Sequence, residues 1–100
     1  MYVILTSKPG QFRTEIGEGL RPAESYDYLF CGRCKARFVI AELLSDPTTT
    51  RVVVVDESGA PAVNRVPVKF LEKFDTVARA RRELEHLTRF GSVDTVLVKT

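Results

Sequence analysis

The tetrapeptide Cys31-Gly32-Arg33-Cys34 is the fork at which the fold of this chain is decided. It holds the only two cysteines and joins two extended-looking segments, Ser25 to Cys31 and Cys34 to Leu43. With Gly32-Arg33 as a two-residue turn, glycine at the first central position of a type II′ turn, the segments fold back as a hairpin. Residues whose numbers sum to 65 then face each other: Cys31 and Cys34, Phe30 and Lys35, Leu29 and Ala36, Tyr28 and Arg37, Tyr26 and Val39. Strand alternation sorts Leu29, Cys31, Cys34, Ala36, Phe38 and Ile40 onto one apolar face, with Asp27 the misfit. The other face carries Tyr26, Tyr28, Phe30, Lys35, Arg37 and Val39. On this register Phe30–Lys35 and Tyr28–Arg37 are cross-strand aromatic–cation pairs.

The alternative makes Cys34 to Leu44 a helix opened by the cysteines. Cys31-Gly32-Arg33-Cys34-Lys35, a strand at Arg51 to Asp56, a Val66-Pro67 step before another strand and a late helix together resemble the thioredoxin and glutaredoxin superfamily. The resemblance implies a thiol–disulfide oxidoreductase or redox-responsive protein in which Cys31 attacks, Cys34 resolves and Pro67, as a cis-proline, faces them. A helix N-terminus lowers a thiol pKa, which gives that chemistry a physical basis. The hairpin is the preferred reading. Arg37-Phe38-Val39-Ile40 is rich in strand formers, Phe30 abuts Cys31, and Ser58 to Arg65 is too short for the helix that family places before its proline.

Along the rest of the chain, Tyr2 to Ser7 and Phe12 to Ile16 read as strands joined by the turn Lys8-Pro9-Gly10-Gln11. Gly17 to Glu24 reads as a loop. Arg51 to Asp56, with four consecutive valines, reads as a strand buried on both faces. Ser58 to Arg65, with Gly59 and Pro61, is a loop, and Pro67 opens a short or edge strand over Val68 to Leu71. Asp75 to Arg89 is the one clear helix: Asp75 can cap it, Gly91 can stop it, and Val77, Ala80, Leu84 and Leu87 share a face. Val93 to Lys99 is the final strand. The expected fold is one α+β domain: a mostly antiparallel sheet, free to curl, of about six to seven short strands, with one C-terminal amphipathic helix followed by a final strand.

Charge and composition narrow the function. Fifteen lysines and arginines against thirteen acids leave a net charge of +2, too balanced to indicate nucleic acid. No apolar run approaches the about 18 residues that cross a bilayer, and the N-terminus lacks the regions of a signal peptide. The expectation is a cytoplasmic chain with reduced thiols. Zinc wants four ligands, and beside the two cysteines there is one histidine, His86, so no metal or cofactor is called for. Arg79, Arg82 and His86 share a helix face suited to an anion, although Glu83 and Glu85 stand four residues from Arg79 and Arg81 and can pair with them. Tyr28, Phe30, Lys35 and Arg37 form the other candidate binding surface. The expected function is a small non-catalytic binding or accessory protein that engages a protein partner or small ligand, with a homodimer allowed. Activated-thiol chemistry at Cys31 and Cys34 is the alternative.

Overall fold

The computed structural model describes residues 1–59, 62–88 and 95–100. Among them seven strands, each antiparallel to its neighbours, form two sheets. Sheet I has the order β1 (Tyr2–Ser7), β4 (Arg33–Leu43), β3 (Leu20–Phe30), β7 (Thr95–Lys99). Sheet II has the order β2 (Phe12–Glu15), β5 (Arg51–Asp56), β6 (Ala62–Pro67). One helix, α1 (Val77–Thr88), precedes β7. The α+β architecture with a C-terminal helix and a final strand is therefore the observed one, but its strands are divided between two sheets.

Sheet I is the middle layer, and its two faces make two cores. Ile40, Phe38, Ala36 and Tyr26 point toward α1 and pack with Ala80 and Leu84; Tyr2, Ile4, Tyr28, Phe74 and Leu97 close the margins. Val3, Leu5, Leu20 and Ala41 point the other way, toward Val52 of sheet II and Val68. The period-2 alternation of β1 and β4 follows from this: Val3 pairs with Ala41 on the far face, Ile4 with Ile40 on the helix face. Sheet II covers the far face at the β1 end, where β2 meets β1 through a Lys8–Phe12 bridge. Beyond Leu20, the described residues of β3 and β7 add nothing buried to this far-face core.

The hairpin forms, but one residue earlier than the sequence suggests. Phe30 pairs with Arg33, so the turn residues are Cys31 and Gly32, at φ 51° and 78°. Two positive φ values define a type I′ turn, whose twist matches that of the flanking strands. Lys35 is then an extra residue between the Leu29–Cys34 and Tyr28–Ala36 pairs. This extra residue, not the slip of the turn, changes the faces: Tyr26 and Tyr28 lie with Ala36 and Phe38 under the helix, and Leu29 stays with Cys34 on the far face. A non-glycine residue in the left-handed region is strained, and asparagine tolerates it best. Cys31→Asn is therefore expected to stabilise the chain by about 1 kcal/mol, read as a higher urea midpoint with unchanged slope. A lower midpoint would rule out this turn type.

Other expectations are corrected. Gly17 to Glu24 is not all loop, because β3 begins at Leu20. Pro22 is accommodated there because Ala23 is bulged beside it and β7 pairs only with residues 26–30, leaving this stretch an edge. Gly19, just before, sits at φ +86° with Ser45 and Thr50 3.0 Å from where a Cβ would be, so only glycine fits. The span assigned to a loop at Ser58 to Arg65 contains most of β6, and Val68–Phe70 is a 3-10 turn instead of a strand. β5 is not buried on both faces: Val52 is buried, while Val53, Val54 and Val55 are half-buried. Thr76, not Asp75, caps α1, its hydroxyl accepting the Arg79 N–H at 3.1 Å. Ala80 and Leu84 are buried and Val77 is half-buried, but Leu87 is 57% exposed. Pro61, Arg89, Gly91 and Val93 lie outside the described residues.

Candidate interaction surface

The sequence-derived candidates divide into three places. Cys31 and Cys34 are free thiols at the tip of the β3–β4 hairpin, exposed and half-buried respectively. They do not flank the turn opposite each other, since Cys31 is inside it and Cys34 faces Leu29. Cys34 lies in a strand, so the cysteines do not open a helix. Pro67 ends β6 in the other sheet, paired with Arg51. The structure thus does not assemble the two cysteines and Pro67 into the arrangement that the redoxin resemblance implies.

The aromatic–basic face is also taken apart. Tyr28 packs beside the helix-side core, its ring 6.5 Å from that of Phe38. Arg37 lies on the far face and pairs with Asp27 at 3.3 Å. Only Phe30 and Lys35 meet as expected, the ammonium 6.0 Å from the ring centroid. Because the register is shifted, the Tyr28–Arg37 pairing does not form.

Arg79, Arg82 and His86 do come together. They line a cleft of about 480 Å³ between α1 and the segment before it, with Lys73, Phe74 and the carboxylates of Glu72, Asp75 and Glu83. The cleft has as many carboxylates as lysines and arginines, and the Lys73 ammonium already donates to the Lys69 and Leu71 carbonyls at 2.8 Å. That balance is a poor design for holding an anion. Among the described residues the expected ion pairs along the helix are not formed. Arg81 instead reaches Glu24 of β3, donating from Nε at 3.0 Å and from the terminal amine at 2.8 Å.

Glu24 is the hub of that network. It also accepts from the Tyr26 hydroxyl at 2.8 Å and from Lys99 of β7 at 3.0 Å, and its side chain is 11% exposed. The Arg81 hydrogen bonds, opposed by desolvation and aided by Lys99 and Tyr26, hold its carboxyl down at about 2. The same contacts push the Arg81 guanidinium further up. One carboxylate thereby ties helix, β3 and β7 together.

A surface that sequence reasoning did not single out lies at β7. In sheet I, Leu29 pairs with Val96 and Asp27 with Val98, so these residues share the far face with Cys34 and Arg37. Val96 and Val98 are 53% and 40% exposed. Their alternation with Leu97 was the available signal, but alone it reads as an ordinary strand. The four sheet edges differ in how they are protected. On β1, Tyr2 exchanges two backbone hydrogen bonds with Phe74, and the Thr6 carbonyl accepts from the Thr14 hydroxyl. β2 bears the charged pair Arg13–Glu15, and β6 bears Arg65 and ends on Pro67. β7 has neither proline nor bulge, and its one charge, Lys99, is drawn to Glu24. Among the described residues, no strand pairs with its outer side.

Comparison with family models, with curated proteins and with solved structures gives no match. No helix among the described residues is long and apolar enough to cross a membrane.

Proposed function

We propose that this chain is a small non-catalytic binding module whose partner is a protein segment in extended conformation, added as a strand beside β7. The observation that carries the reading is the contrast between edges: β1, β2 and β6 are bridged, charged or ended by proline, while β7 offers its backbone next to exposed valines. Strand addition draws affinity from main-chain hydrogen bonds and specificity from alternate side chains. Here Leu29, Val96 and Val98 would receive β-branched side chains on the far face, and the Asp27–Arg37 pair would border them. The near-neutral net charge suits a protein partner better than nucleic acid.

A photo-crosslinking amino acid placed at Val96, used in the cell with the same probe at exposed Arg65 as control, tests this. A defined protein partner captured from position 96 and not from position 65 is the expected result. Equal capture at both positions, or none at 96, would overturn the proposal.

A further inference from the structure

We infer that the strand received by β7 is β7 of a second copy of this chain, so that two sheets I join into one eight-stranded antiparallel sheet. The inference rests on the proposal that the β7 edge is the binding surface. Three observations select the occupant. The first is hydrogen-bond phase. The Thr100 N–H donates to the Ser25 carbonyl at 2.9 Å, and in an antiparallel ladder the residues bonded to one neighbour alternate. Val96 and Val98 therefore bond inward to β3, and Leu97 turns its N–H and C=O outward. A two-fold axis perpendicular to the sheet and midway between Leu97 and its counterpart makes Leu97 and its copy a hydrogen-bonded pair.

The second is side-chain register. The sequence Thr95-Val96-Leu97-Val98-Lys99 is nearly symmetric about Leu97. Under that axis Val96 faces Val98 of the other copy, Leu97 faces its own counterpart on the helix side, and Lys99 faces Thr95. The valine pairs extend the stripe begun by Leu29, and such β-branched cross-strand pairs are stabilising. The third is charge. Among the described residues of the pairing no like charges oppose each other, and the Lys99 ammonium, which could otherwise repel an incoming strand, is held by Glu24 within its own chain. A two-fold contact demands a self-complementary patch, and this strand supplies one.

The register gives a test that separates this pairing from general stickiness. Because Val96 faces Val98 of the other copy, Val96→Lys/Val98→Lys sets lysine against lysine twice. Val96→Glu/Val98→Lys sets glutamate against lysine twice. Sedimentation equilibrium on the purified full chain should give a wild-type dimer that dissociates on dilution. The dilysine variant should weaken the dimer about tenfold or more, with its melting temperature as a monomer unchanged, and the glutamate–lysine variant should keep a dimer that salt weakens. Both positions are exposed, so neither variant removes core packing. A wild-type chain that is monomeric at its highest soluble concentration, or a dilysine variant that dimerises like wild type, overturns the inference. A monomer whose position-96 probe captures a different protein overturns the dimer and leaves the proposed function standing. A monomer with no capture overturns both.

Discussion

Truncation of Leu84 to alanine is expected to cost about 3 kcal/mol, within the roughly 2–5 kcal/mol seen for fully buried leucines. Leu84 has no exposed surface and is the largest fully buried side chain of α1. It sits with Ala80 against Tyr26, Ala36, Phe38 and Ile40, the patch that holds the helix on sheet I. The cavity would open between a rigid sheet and a single helix, and the neighbouring Ala80 has no volume to fill it. Leu87 supplies the control. The helical spacing puts it on the same apolar face, yet it borders an open cleft with Ile4, Leu71 and Phe74 and is more than half exposed. Leu87→Ala should cost less than about 1 kcal/mol. Urea unfolding of both variants measures the difference. Equal costs at 84 and 87 would mean that the helix sits on the sheet at another rotation.

That rotation was only half legible in the sequence, and the reason is geometric. The spacing of Val77, Ala80, Leu84 and Leu87 defines a stripe, but the residues of sheet I that meet it pack against Ala80 and Leu84 and leave Leu87 in a cleft. Strand existence was legible at β1, β2, β3, β4, β5 and β7, where alternation or β-branched runs are strong. Strand register was not. A type I′ turn at Cys31-Gly32 requires a positive φ at cysteine, which propensity argues against, and it sets Phe30 opposite Arg33, two residues from the Lys35 that a turn at Gly32-Arg33 places there. The bulged residues Ala23 and Lys35 reset the register again, and no local composition marks them. β6 was hidden by Pro67 and by the polar Asn64 and Arg65, which are allowed because it is the edge of sheet II. The division into two sheets is a long-range outcome of β2 pairing with β5 across thirty-five intervening residues, Ile16 to Thr50, rather than with sheet I. For the site, the helix residues Arg79, Arg82 and His86 line one cleft because helical spacing is rigid. The β3–β4 surface was grouped wrongly because it depended on register. The β7 edge became visible only once strand order was known.

Acid should loosen the tie that Glu24 makes between α1, β3 and β7. The Glu24 carboxyl lies at about 2 in the folded chain against an ordinary 4.5. A carboxyl depressed on folding contributes stability that is fully present above its unfolded pKa and is lost as the pH falls through the folded one. The shift corresponds to about 2–3 kcal/mol, the lower figure because Arg81 and Lys99 reach solvent and screen the interaction. Wild-type stability should therefore fall from about pH 5 toward about pH 2 by that amount from this one group. Glu24→Gln tests the assignment. The amide keeps the size and can still accept from Tyr26, but it removes the charge that Arg81 and Lys99 share. The variant should be less stable than wild type by about 2–3 kcal/mol near neutral pH, and the gap should shrink to less than half by about pH 3, because Glu24 of the unfolded wild-type chain gains its proton before the folded one does. Urea titrations of both proteins at the two pH values give the gap directly. The loss should be concentrated where the carboxylate holds separate elements: amide exchange at Val96 and Val98, which bond to β3, and along α1 should rise in the variant more than exchange in sheet II, which Glu24 does not touch. A gap that stays constant from neutral pH to about pH 3 would show that Glu24 titrates near its ordinary value and that packing alone, through Leu97 and Leu84, keeps β7 and α1 in place.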